Sequence, residues 1–109
     1  MSGLAEKRCN PCLPGTKRLI PEQYTPLLGE LTGWSVAEGH HLLKEFLFPD
    51  FVTALAFVNH VGEIAESEQH HPDIILRWGK VTISIWTHSI DGLQEGDFIL
   101  AAKIDRLRS

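Results

Sequence analysis

Ile74-Ile75-Leu76-Arg77-Trp78-Gly79-Lys80-Val81-Thr82-Ile83-Ser84-Ile85-Trp86-Thr87-His88 is the stretch that decides the fold. From Val81 onward the residues alternate. Val81, Ile83, Ile85 and Thr87 share one face, and Thr82, Ser84, Trp86 and His88 share the other. A period of two marks a half-buried strand. Gly79-Lys80 separates it from an apolar run, Ile74 to Trp78, and glycine first in a two-residue loop predicts a type II′ hairpin. With that loop Trp78 pairs with Val81, and residue 71 falls opposite residue 88. The histidines at 70, 71 and 88 then gather at one end of a single hairpin.

Upstream, Pro49-Asp50 opens the strongest helix, which runs to about Gln69 and is stopped by Pro72. Phe51, Leu55, Val58, Gly62 and Ala65 form its predicted buried stripe, widened by Ala54 and Val61. Thr53, Ala56, His60, Glu63 and Ser67 point the other way. Glu66 lies one turn before His70, so the two can meet if the helix reaches that far. Trp34-Ser35-Val36 and His41 to Phe48 predict two strands with a turn around Glu38-Gly39. Pro21-Glu22 opens a short helix through Leu31, with Tyr24, Leu27, Leu28 and Leu31 on one face and Gly33 beyond it. A last helix runs from about Gln94 to Leu107. Its first turn is expected to be weak, since Gln94 stands where Ser or Thr would cap and Gly96 follows. Hairpins, not crossovers, join the strands. The order helix-strand-strand-helix-strand-strand-helix predicts an α+β domain, a four-stranded antiparallel sheet with three helices on one face.

The chain has 109 residues, 43% apolar and 22% charged, which suits one globular domain and argues against disorder. Ten Lys and Arg against fourteen Asp and Glu leave a net charge of -4, a poor match to a phosphate backbone. The longest low-polarity run, Phe51 to Val58, is far short of the ~20 residues that span a membrane. Met1 to Gly15 has no apolar signal core, so a cytoplasmic address is expected. Residues 1–20 read as a flexible Pro/Gly arm and 21–109 as the domain. Cys9 and Cys12 in the arm have the spacing of a metal or redox pair. A zinc site lacks a second pair of ligands nearby, and Pro11, Pro14 and Gly15 do not suit a redox helix. Incidental thiols and metal or partner binding both stay open.

Six histidines carry the candidate chemistry, because imidazole gives and takes protons near neutrality. Glu66, His70-His71-Pro72, Trp78, His88 and Asp97, with Gly33-Trp34-Ser35, Phe46-x-Phe48 and Asp50-Phe51 upstream, resemble the signature of pterin-4a-carbinolamine dehydratases. The resemblance covers about residues 19 to 105. It implies dehydration of a 4a-hydroxytetrahydropterin to the quinonoid dihydropterin, with no metal or organic cofactor. By motif position, His70 and His88 resemble the acid–base pair and His71 the histidine that contacts the substrate hydroxyl. Glu66 and Asp97 are then supporting carboxylates that orient the imidazoles. Trp86 and Thr87 are implied to lie along the pterin, Thr87 through its backbone. His40, His41 and His60 have no place in the motif. The resemblance also admits a non-catalytic coactivator of transcription and a role in molybdenum-cofactor pterin metabolism. The last helix has one apolar seam of Leu93, Leu100, Ile104 and Leu107, and a second stripe of Phe98 and Ala101. That surplus predicts a partner surface and a homodimer or homotetramer, with no nucleic acid or membrane as partner.

Overall fold

In the computed structural model, residues 3–8 and 17–108 are described. Cys9 and Cys12 lie outside them. Three α-helices, α1 (Pro21–Leu28), α2 (Phe51–Glu68) and α3 (Glu95–Asp105), accompany four strands, β1 (Ser35–Ala37), β2 (His41–Leu47), β3 (Asp73–Arg77) and β4 (Lys80–Ile85). The strands form one antiparallel sheet in the order β1-β2-β4-β3. This is the predicted α+β architecture. Alternation in β4 works as expected: Val81, Ile83 and Ile85 are fully buried, whereas Thr82 and Ser84 stay partly open.

The hairpin register differs from the expected one. Arg77 pairs with Lys80 and Asp73 with Ser84, so the loop is Trp78-Gly79. Neither loop residue has positive φ, so the turn is not type II′. Gly79 is fixed by its neighbour: its carbonyl accepts the Phe48 N–H at 2.9 Å, and a Cβ there would sit 3.0 Å from the Phe48 carbonyl oxygen. The pairing slips by two residues, which keeps every side chain on its predicted face. Residue 71 therefore extrapolates to residue 86 and not 88. β4 also stops at Ile85; Thr87 pairs with Gly92, and His88–Ile90 form a 3-10 turn. The β1–β2 turn is where it was expected, with φ of 56° at Glu38 and 63° at Gly39, the type I′ signature.

α1 ends at Leu28 instead of Leu31, because the chain tightens: Glu30 N–H bonds Leu27 O and Leu31 N–H bonds Leu28 O. α2 starts as read, Asp50 accepting the Thr53 N–H at 2.8 Å. Its buried face is rotated from the predicted one. Ala54, Phe57, Val61 and Ala65 face the core, whereas Phe51 and Leu55 are exposed. Phe57 sets this rotation by packing on Phe46 and Phe48, with centroids at 4.8 and 5.1 Å. Apolar residues run more than halfway round α2, so periodicity left its rotation open.

α3 is enclosed on nearly every side, with Phe98 to Ala102 and Ile104 all buried. Tyr24 of α1 stacks on Phe98 at 6.5 Å. A 3-10 turn at Leu4–Glu6, inside the stretch expected to be a free arm, buries Leu4 and Ala5 in the same core. Lys103 Nζ donates to the Ala5 carbonyl at 2.9 Å, Lys7 pairs with Glu95 at 2.9 Å, and Arg106 pairs with Glu6. The second apolar stripe is thus covered within the chain, and it no longer argues for a partner. Leu107 leaves the seam: it sits exposed in a closing 3-10 turn. Among the described residues no helix is long and apolar enough to cross a membrane.

Candidate active site

α2 ends through backbone geometry, before Pro72 can act. Gln69 adopts the left-handed conformation (φ 54°), its N–H bonds Glu66 O, and the His70 N–H reaches back to Ala65 O at 3.1 Å. This is a Schellman ending with Gln where Gly is usual. The reversal separates the two histidines that follow. His70 turns inward and His71 falls back along the helix.

His70 Nε2 lies 2.6 Å from Oδ1 of Asp97, which is its partner in place of Glu66. Asp97 is 0% exposed, and a buried carboxylate survives only when its oxygens are satisfied. Its other oxygen accepts the Thr87 hydroxyl at 2.9 Å and the Gln94 N–H at 2.7 Å. The acid therefore braces the first turn of its own helix by holding the N-cap N–H of Gln94, the N3 half of a capping box. A carboxylate holding three donors accepts from His70, so the ring hydrogen sits on Nε2. Nδ1 is left with no partner among the described residues.

Glu66 meets His71 instead, Oε1 to Nε2 at 2.9 Å, on the exposed surface. Gln69, His70, His71, Trp86, Thr87, His88 and Ser89 line one cleft of about 260 Å³, small for a ligand pocket. The three histidines therefore do share a site, although the register that predicted it was two residues off. His88 stacks on Trp86, centroids 4.3 Å apart and planes within 14°. Thr87 lines the cleft; its N–H donates to Gly92 O at 2.8 Å and its hydroxyl to Asp97 at 2.9 Å.

Sequence reasoning missed His40 and His41. Both rings lie against Trp86, at 5.2 and 5.9 Å, and His40 Nε2 is 2.7 Å from Oδ1 of Asp91. The signal was available in the β2–β4 register, which sets His41 opposite Trp86 once Leu42 is paired with Ile85. His60 is an exposed residue of α2, away from the cleft lining. Among the described residues no three His, Cys, Asp or Glu side chains are placed to hold one metal ion.

A small cleft with an aromatic wall and three imidazoles, one paired with a buried carboxylate, has the groups that acid–base chemistry needs. Comparison with known proteins narrows this. The chain belongs to the family described as "Pterin 4 alpha carbinolamine dehydratase", which it matches over residues 17–107. A relative from Rubrobacter xylanophilus, named provisionally as a pterin-4-alpha-carbinolamine dehydratase, is 52% identical over 98% of this chain and 100% of its own length. One from Alkaliphilus metalliredigens with the same name is 47% identical over 100% of this chain and 99% of its own. A crystal structure from Brucella melitensis, titled transcriptional coactivator/pterin dehydratase, superposes with a TM-score of 0.80 at 30% identity. It covers 85% of this chain and 100% of that one. A pterin dehydratase-like RuBisCO assembly factor shares the fold, with a TM-score of 0.59 at 23% identity over 69% of this chain and 88% of that one.

Proposed function

We propose that this protein removes water from a 4a-hydroxytetrahydropterin, giving the quinonoid dihydropterin, by histidine acid–base catalysis. The observation that carries the reading is the buried Asp97 carboxylate on His70 Nε2. It fixes the tautomer, so Nδ1 presents a lone pair, and it faces the charge that the ring gains on taking a proton. The elimination breaks two bonds. A ring N–H gives its proton to His70, its electron pair forms the carbon–nitrogen double bond as the adjacent carbon–oxygen bond breaks, and the hydroxyl leaves as water with a proton from His88. Stacking on Trp86 sets His88 along the cleft wall, with no side-chain hydrogen bond among the described residues to restrain that transfer. On this reading His71, which pairs with Glu66, holds the leaving hydroxyl. A cytoplasmic address and assembly with further copies of the chain go with this reading.

Stopped-flow measurement on a freshly generated 4a-hydroxytetrahydropterin tests it, since such a substrate is short-lived. His70→Ala and His88→Ala are each expected to lower kcat by ~10²-fold or more, the usual worth of a general acid or base. Near wild-type turnover in both folded variants would overturn the assignment.

A further inference from the structure

His88 sits on a short loop, and the loop has an anchor outside the cleft. Thr87 and Gly92 exchange backbone hydrogen bonds, N–H to O at 2.8 and 3.4 Å, which closes a loop holding the His88–Ile90 turn and Asp91. Asp91 ends that turn in the left-handed region, φ 51°. Its Oδ1 faces His40 Nε2 at 2.7 Å. A carboxylate only accepts, so the hydrogen lies on His40 Nε2 and His40 donates. The other His40 nitrogen is 3.1 Å from His41 Nδ1, near enough for one shared hydrogen. The two rings also close on Trp86, the indole on which His88 stacks. Arg18, whose side chain packs over Gly92, adds positive charge near Asp91. The Asp91 carboxyl is accordingly held below its ordinary range, by the His40 hydrogen bond first and by the charges of His40 and Arg18 after it.

Backbone strain points the same way. Among the described residues three non-glycines have positive φ: Glu38, Gln69 and Asp91. Gln69 lines the cleft, Asp91 ends the turn that carries His88, and Glu38 opens the turn that presents His40. Such conformations persist where the surroundings hold them, and they concentrate at working sites.

We propose that the His40–Asp91 contact is a positioning device for the cleft, pinning the His88 loop to the β1–β2 turn while His40 braces Trp86. It rests on the reading of His88 as one of the acid–base pair. His40 and Asp91 act through His88 and Trp86, without touching substrate. The pair is largely exposed on the Asp91 side, so it adds little to global stability, and its effect belongs to the loop.

His40→Phe keeps a ring against Trp86, removes both nitrogens and leaves Asp91 in place. His40→Gln restores an N–H near the position of Nε2. Hydrogen exchange in the unliganded protein at Ile90, Asp91 and Gly92, whose amides bond within the loop, reads the pinning directly. Stopped-flow turnover reads its consequence. In His40→Phe we expect faster exchange at those amides and a kcat about tenfold lower, since small misplacements of a reacting group are costly. The melting temperature should be little changed, and His40→Gln should recover most of both losses. Unchanged exchange in His40→Phe overturns the proposal, and so does faster exchange with unchanged kcat. If the wild-type protein turns over no pterin, the reading of the reaction falls separately, and the pinning stands or falls on the exchange rates.

Discussion

Asp97 meets three donors with two oxygens in a fully buried setting, and this sets what its loss should cost. Asp97→Ala strands the Thr87 hydroxyl and the Gln94 N–H, at roughly 1–3 kcal/mol for each buried group left unpaired. Asp97→Asn keeps the shape but must turn an NH2 toward at least one of the three donors. The Asn variant should fold with a lowered melting temperature and lose ~10²-fold or more in kcat, because His70 no longer has one nitrogen fixed as the donor. Thermal melts with stopped-flow turnover check both, and full turnover in Asp97→Asn would show that His70 needs no carboxylate. The sequence marked Asp97 as a supporting carboxylate without giving it a partner and left Glu66 within reach of His70, whereas His70 pairs with Asp97 and Glu66 with His71. Spacing along α2 put Glu66 beside His70, but the left-handed Gln69 redirects the chain there, and no residue pattern announces that conformation at a Gln.

At the scale of elements, α2 offers two tests. Asp50 caps it, and its carboxyl is held below the ordinary range by the Thr53 hydroxyl first and the Thr53 N–H second. A carboxyl depressed in the folded state stabilises above its unfolded-state pKa, and that contribution fades as pH falls through the folded value. Asp50→Ala should therefore lower the melting temperature at pH 7, and the gap from wild type should close in acid below the carboxylate range. An equal gap at both pH values would count against the cap. The rotation of α2 is tested by Phe57→Ala against Phe51→Ala. Phe57 is 5% exposed and Phe51 42%, so the first should cost ~3–5 kcal/mol in denaturant unfolding and the second clearly less. Element type was legible wherever one face was marked, as in β4, where Val81, Ile83 and Ile85 alternate with polar residues. It failed in detail where no mark existed. α2 is apolar on too many sides to show its rotation, and the hairpin loop was misplaced because Gly79 serves a close approach to Phe48, not a positive φ. The docking of Leu4 on α3 was invisible for a related reason: a short apolar turn has no period to read.

For the whole molecule, the apolar surplus lies at a different place from the one the sequence suggested. α3 is sealed by Leu4, Ala5 and Tyr24, whereas Leu47, Phe51, Val52, Leu55, Ile75 and Trp78 remain exposed. Several of these share one end of the fold. Phe48 N–H bonds Gly79 O, which sets the hairpin tip and Trp78 beside the segment that runs from Leu47 into α2. Ile75 lies on β3, an edge strand with open backbone groups, and unpaired edges carrying apolar side chains favour association. Small monomers seldom leave so much apolar surface in water, so a second copy of the chain is the expected cover. Light scattering at micromolar concentration should give a mass at a multiple of 12.2 kDa. Val52→Asp should lower that mass, since Val52 is 75% exposed and the change disturbs no core contact. The cleft histidines lie at the opposite end of the β3–β4 hairpin from its Trp78-Gly79 tip, so the dissociated variant should still bind pterin. A wild-type mass near 12.2 kDa would mean that this surface stays open in solution and that assembly plays no part in the protein's function.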